Sequence, residues 1–145
     1  SIQNGYNLLD RQFEIGLAEV AMREGIGLIG YSPLAAGTLT GKYGDSPAPI
    51  AGTRWEGSQG FVSHMLSPAR RQAIAAYAEL ARAHGLEPAH MALAFAAAQP
   101  FMASVLMAAS SAEQLQGNLG AIGVTLSKEI TQAINQIHDS HPNPR

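Results

Sequence analysis

The stretch Ile26-Gly-Leu-Ile-Gly-Tyr31-Ser-Pro-Leu-Ala-Ala-Gly-Thr-Leu-Thr-Gly-Lys-Tyr43 decides the fold class. Its apolar run, Ile26–Tyr31, reads as a buried strand that opens abruptly into small residues, hydroxyls and one lysine. Such a loop lets backbone N–H groups approach a phosphate closely, and Lys42 adds positive charge. Immediately upstream, Ile15, Leu17, Ala18, Ala21 and Met22 recur at helical spacing within Glu14–Glu24, and Gly25 is a natural stop. Ser1–Asn4 reads as the end of an earlier strand and Tyr6–Phe13 as a loop. Strand, helix, strand, loop is the pattern of a parallel sheet.

The alternation continues downstream. Ala35–Leu66 contains Pro47, Pro49, Gly52, Gly57 and Gly60, which predicts a long irregular excursion with at most one helical turn. Ser67-Pro68 supplies an N-cap and a first-turn proline for a helix that runs to about His84, with Gly85 after it. Glu87-Pro88 opens an alanine-rich helix ending near Gln99-Pro100. Ala103–Ala109 reads as a third strand, Ser111 to about Ala121 as a helix, and Ser127 as the cap of a last helix, Lys128–His138. Pro142 and Pro144 predict a frayed tail. The reading is α/β, one domain over residues 1–145, with three parallel βα units and extra helices. Three strands cannot close a parallel barrel, which needs eight, and an open sheet leaves its edges unpaired. Either other elements complete the sheet or copies associate.

Composition narrows the function. The 145 residues are 46% hydrophobic and 14% charged, enough for a real core. A net charge of −2 with scattered basic residues argues against nucleic acid as a partner. Without cysteine there is neither a disulfide framework nor a thiolate metal site. No apolar run approaches the length of a membrane span, and no basic-then-apolar leader is read at Ser1, so a cytoplasmic location is the expectation. His84 with His90, and His138 with His141, lack carboxylate or cysteine support, so no metal site is assigned. Asp10, Glu14, Glu19 and Glu24 read as solvated charge rather than paired catalytic carboxylates. Gln114 and Asn118 lie four apart and share a helix face, whether that face binds a ligand or is merely solvated.

Four collinear stretches resemble the aldo-keto reductases, in the branch that includes Tas-like bacterial reductases and the β subunits of voltage-gated potassium channels. They are Ser1-Ile-Gln-Asn-Gly-Tyr-Asn-Leu-Leu-Asp-Arg11, Gly16–Glu19 with Tyr31–Tyr43, Gln99-Pro-Phe with Ser104–Ser111, and Gln114-Leu-Gln-Gly-Asn118. The resemblance implies the C-terminal part of a (β/α)8 barrel and the cofactor NADP(H). It implies that Gln3 holds the nicotinamide carboxamide and that Tyr31 stacks on the nicotinamide. Ser32, Pro33, Leu34 and Gly37 would line the pyrophosphate loop, with Lys42 and Arg54 as counter-charge. Ser110, Gln114 and Asn118 would grip the adenosine 2′-phosphate and adenine.

Departures from the family pattern are Ala108-Ala109 before Ser110, Gly117 where an acidic residue is usual, and Gly5 where proline or an acidic residue is common. The family's tyrosine acid and its assisting lysine, histidine and aspartate come from the first half of the barrel. No residue here matches them, so no catalytic residue is assigned. Trp55 and Phe61, in the long excursion, are candidates for a substrate pocket. Two readings stand at this point. One is the NADP(H)-binding portion of a carbonyl reductase that needs an N-terminal half. The other is an inactive, self-associating half-barrel serving as a nucleotide-binding or structural module.

Overall fold

The computed structural model describes residues 1–43, 51–52, 55–58 and 65–144. Three strands, β1 (Ile2–Gly5), β2 (Leu28–Tyr31) and β3 (Met102–Leu106), form a parallel sheet in the order β1-β2-β3. Ile2 pairs with Leu28 and Gly5 with Tyr31; Tyr31 pairs in turn with Leu106. Strands adjacent in sequence are adjacent in space, without the reversal of order that marks a doubly wound sheet.

Among the described residues, five α-helices accompany the sheet: α1 (Leu17–Arg23), α2 (Pro68–Ala83), α3 (Pro88–Ala97), α4 (Ala112–Leu119) and α5 (Lys128–Ser140). Short 3-10 turns occupy Gln12–Glu14, Ala35–Thr40 and Gly120–Gly123. The caps act as the sequence requires. Ser67, Ser111 and Ser127 accept hydrogen bonds from the N–H groups of Arg70, Gln114 and Ile130. Pro68 and Pro88 occupy first turns, where no amide hydrogen is needed.

The core lies on one side of the sheet. Leu28, with Ile2, Met102 and Val105 against it, meets Ala21, Tyr77, Ala81, Met91, Phe95 and Ile134 from the helices. Helix α3 is buried nearly all round from Met91 to Ala96, as expected of a helix with apolar residues on every face. The other sheet face carries Gln3, Tyr31, Ser104 and Leu106, all exposed, with Ile29 half-buried.

Several local expectations change. The helix read over Glu14–Glu24 is split: Gly16, at φ 87°, separates the Gln12–Glu14 turn from α1. The reason is polar. Arg11 grips Glu14 through Nε to Oε1 at 2.7 Å and Nη2 to Oε2 at 2.8 Å, and the Tyr6 hydroxyl donates to the same carboxylate. Glu14 is thereby fixed to the loop, and Ile15 is left 75% exposed. Strand β3 ends at Leu106 rather than Ala109. The tail is docked rather than frayed: Asn143 Oδ1 accepts from the Arg11 N–H at 2.7 Å, and Arg70 Nη1 donates to the Pro144 carbonyl at 3.1 Å. Trp55 does not line an open pocket. It is fully buried and stacked on Tyr43, with ring centroids 4.0 Å apart. Phe61 lies outside the described residues.

Candidate functional site

At the carboxyl ends of β2 and β3 the chain leaves the sheet and encloses a groove of about 1320 Å³. Its walls come from the Tyr31–Lys42 loop, the segment after β3, the first turn of α3 and one face of α4. Of the residues singled out from the sequence, Tyr31, Ser32, Pro33, Leu34, Gly37, Lys42, Ser110, Gln114 and Asn118 all line it. They are spread over 88 positions of sequence, Tyr31 to Asn118, and the fold brings them to one cavity. Gln3 lies outside the groove, on the same sheet face as Tyr31 and paired with Ile29. Arg54 lies outside the described residues.

The loop after β2 is built from unusual backbone. Ser32 (φ 54°), Ala35 (φ 46°), Ala36 (φ 57°) and Gly37 (φ 93°) all occupy the left-handed region. Non-glycine residues enter it at a cost of about 1 kcal/mol each, and small side chains keep that cost low. The conformation is held by specific bonds. Asn7, buried, donates from Nδ2 to the Ser32 carbonyl at 3.0 Å, and the Ala35 N–H donates to the same oxygen at 2.9 Å. Thr38 and Thr40 hydroxyls donate back to the carbonyls of Ala35 and Gly37. A Cβ at Gly37 would stand 3.3 Å from the Tyr43 ring and 3.4 Å from Lys42 Cε, so the glycine leaves space for both side chains. The Ala35 and Gly37 N–H groups close the turn on itself, donating to the Ser32 and Leu34 carbonyls at 2.9 and 2.8 Å.

Across the groove, Ser110 presents its N–H and hydroxyl together. Both donate to Gln114 Oε1, at 3.2 and 2.8 Å, at the N-terminus of α4. Ala108 is not in the left-handed region, so its methyl group meets no conformational obstacle. Glu87, the N-cap of α3, and Ala89 and His90 in its first turn also line the groove, together with Thr40 and Leu106; none of them was assigned to a binding site from the sequence. In the sequence Glu87 reads only as a helix opener and His90 only as a histidine without metal-site support; folding carries the first turn of α3 to the cavity.

The arrangement offers an exposed aromatic face at Tyr31, a hydroxyl-rich loop with one lysine, and a second donor cluster at Ser110. A cavity outside the carboxyl ends of parallel strands is the usual ligand position in α/β proteins. Such a fold defines an α/β protein built of βα units around a parallel sheet. The chain belongs to the aldo/keto reductase family, whose model matches residues 1–139. It is 41% identical over 152 residues to Protein tas of Escherichia coli, covering 99% of this chain and 41% of that protein. It is 36% identical to L-glyceraldehyde 3-phosphate reductase of E. coli, covering 97% of this chain and 42% of the relative. It is 30% identical to a probable voltage-gated potassium channel subunit beta of Arabidopsis thaliana, covering 97% and 44%. The chain thus spans about two fifths of the length of these curated relatives. No helix among the described residues is long and apolar enough to cross a membrane.

Proposed function

We propose that this chain is the NADP(H)-binding portion of a carbonyl-reducing oxidoreductase. The observation that carries the reading is the convergence of nine separately chosen residues on one groove at the strand ends. The donor set suits a phosphorylated dinucleotide. The Ser32–Gly37 turn and Lys42 would lie against a pyrophosphate, Tyr31 offers a ring face for the nicotinamide, and Ser110, whose N–H and hydroxyl donate to Gln114 Oε1 in the unliganded chain, would turn both to a 2′-phosphate. When bound, the cofactor supplies a hydride for an aldehyde or ketone. The residues present bind and orient it; the proton donor that completes carbonyl reduction comes from elements outside this chain.

The exposed sheet face fits the same reading. Gln3, Tyr31, Ser104 and Leu106 would face the interior of a (β/α)8 barrel completed by an N-terminal half. Gln3 would reach the nicotinamide carboxamide from there, and Arg54 would add a phosphate contact. A cytoplasmic location follows from this reading.

Titration of the purified chain with NADPH and NADH, followed by cofactor fluorescence, tests the proposal. Saturable micromolar NADPH binding, tighter than NADH binding, is expected. No binding at millimolar cofactor would overturn it. A second reading, a self-associating half-barrel without reductase activity, draws on the solvent-exposed Leu115 and Leu119 on α4, Ile122 in the turn after it, and Val20 and Met22 on α1. Light scattering separates the readings: a stable dimer without nucleotide binding favours the second.

A further inference from the structure

Helix α4 carries Gln114 and Asn118, yet none of its residues is buried. It has eight residues and a glycine, Gly117, within it. A helix this short does not hold itself in water, and in a protein its position normally comes from a buried apolar face. That face is missing here. Leu115 and Leu119, its large apolar residues, are 43% and 46% exposed. No buried face within the helix sets where it lies, and Ala121, buried in the turn that follows, anchors only its C-terminal end.

His90 meets that need. It stands in the first turn of α3, and the rest of that helix is locked into the core. Its Nε2 lies 2.7 Å from the Gly117 carbonyl oxygen. This bond ties α4 to α3, whereas the Gly120 N–H bonds, to the Gly117 and Asn118 carbonyls, only continue α4 into the turn that follows it. The imidazole also fills the space beside Gly120. A Cβ built there would lie 2.9 Å from His90 Cε1, closer than real Cβ atoms come, and 3.1 Å from Nε2, a tight contact. Gly117 lies beside Asn118 on the same groove wall, and His90 lines that wall too. The ring therefore bonds to one glycine and packs on another, one at each end of the last turn.

We infer that His90 is the positioning residue for α4. The imidazole donates from Nε2 to the Gly117 carbonyl, and the ring's fit against Gly120 sets the spacing between α3 and α4. On the cofactor reading, on which this part rests, His90 thereby determines affinity at the adenosine 2′-phosphate half of the groove and not at the nicotinamide half.

The test compares wild type with His90→Ala, His90→Gln and Gly120→Ala. Hydrogen exchange of α4 amides is measured against α2 amides, and 2′,5′-ADP and nicotinamide mononucleotide are titrated separately. In His90→Ala, α4 exchange is expected to rise by about fivefold, the scale of one hydrogen bond, while α2 is unchanged. Gly120→Ala, whose methyl displaces the ring, is expected to do the same. Glutamine keeps a donor and is expected to recover most of the protection. The affinity for 2′,5′-ADP is expected to fall by a similar factor, with nicotinamide mononucleotide unaffected.

Unchanged α4 exchange in His90→Ala overturns the inference whatever the ligands do. A global rise that includes α2 overturns it as well, since His90 would then be a general stabiliser. If wild type binds neither ligand, the cofactor reading fails alone, and the exchange data still decide the role of His90.

Discussion

Asn7 and Ser32 join the two loops that leave β1 and β2: Asn7 Nδ2 donates to the Ser32 carbonyl at 3.0 Å, with Asn7 only 5% exposed. The same side chain uses Oδ1 to accept the N–H groups of Leu9 and Asp10 at 2.9 and 3.0 Å. One amide therefore closes its own turn and fixes the strained first residue of the groove loop.

Asn7→Ala is expected to lower stability by about 2–3 kcal/mol, because three bonds are lost and buried partners are left without them. Asn7→Asp keeps both acceptor bonds but faces the Ser32 carbonyl with a carboxylate. It is expected to disturb nucleotide binding more than its smaller stability loss would suggest. Urea unfolding and cofactor titration of both variants check this. Equal effects of both substitutions on binding and stability would remove the special role of the Ser32 bond.

Gly27 is indispensable for a purely steric reason. A Cβ at this position would stand 2.4 Å from the Ala103 Cβ, across the β2–β3 interface. Gly27→Ala is expected to cost about 2–3 kcal/mol through overpacking. The double variant Gly27→Ala with Ala103→Gly vacates the space and is expected to recover more than half of that loss in a double-mutant cycle. Additive losses would show that the glycine matters for another reason.

Much of this architecture was legible in the chain. The caps at Ser67, Ser111 and Ser127 and the prolines at 68 and 88 use local chemistry, so they are read directly. The groove residues were legible only through family likeness, because a loop of Ser, Ala, Gly and Lys has no unique local reading. What escaped was long-range. The pairing of Arg11 with Glu14, Asn135 and Asn143 spans up to 132 positions, and it turned a predicted loop, a predicted helix start and a predicted frayed tail into one bonded unit. The left-handed Ser32, Ala35 and Ala36 also escaped, since their sequence signal is only small size.

That bonded unit makes stability depend on pH. Burial alone would raise the Glu14 carboxyl, but hydrogen bonds from Arg11 and Tyr6, with the charge of Arg11, hold it below the usual carboxylate range. A carboxyl depressed on folding contributes stability that is present above its unfolded value, about 4.3, and lost as pH falls through the folded value. Burial, then the charge of Arg11, also depresses His138. The unfolded chain therefore takes up that proton first, and stability starts to fall below about pH 6.5. Melting temperature is expected to fall in two limbs on acidification. His138→Asn should flatten the upper limb, and Glu14→Gln should flatten the lower one while costing about 2–4 kcal/mol at neutral pH. A single limb unchanged by either substitution would refute the assignment.

Gly37 tests the groove itself. At φ 93° it sits where an L side chain is strained, and an added methyl would press on Tyr43 and Lys42 at 3.3 and 3.4 Å. Gly37→Ala is expected to cost about 1–2 kcal/mol from backbone strain. Its effect on the nucleotide is expected to be larger in proportion. Lys42 would be displaced, and the backbone proposed to approach the pyrophosphate would shift. Ala36→Gly is the complementary change: it removes a Cβ from φ 57° and is expected to leave stability unchanged or raise it by about 0.5 kcal/mol. Measured together by urea unfolding and NADPH titration, the pair separates strain from binding. If Gly37→Ala lowered stability yet left NADPH affinity intact, this loop would be a structural turn, and the phosphate would have to be held elsewhere in the groove.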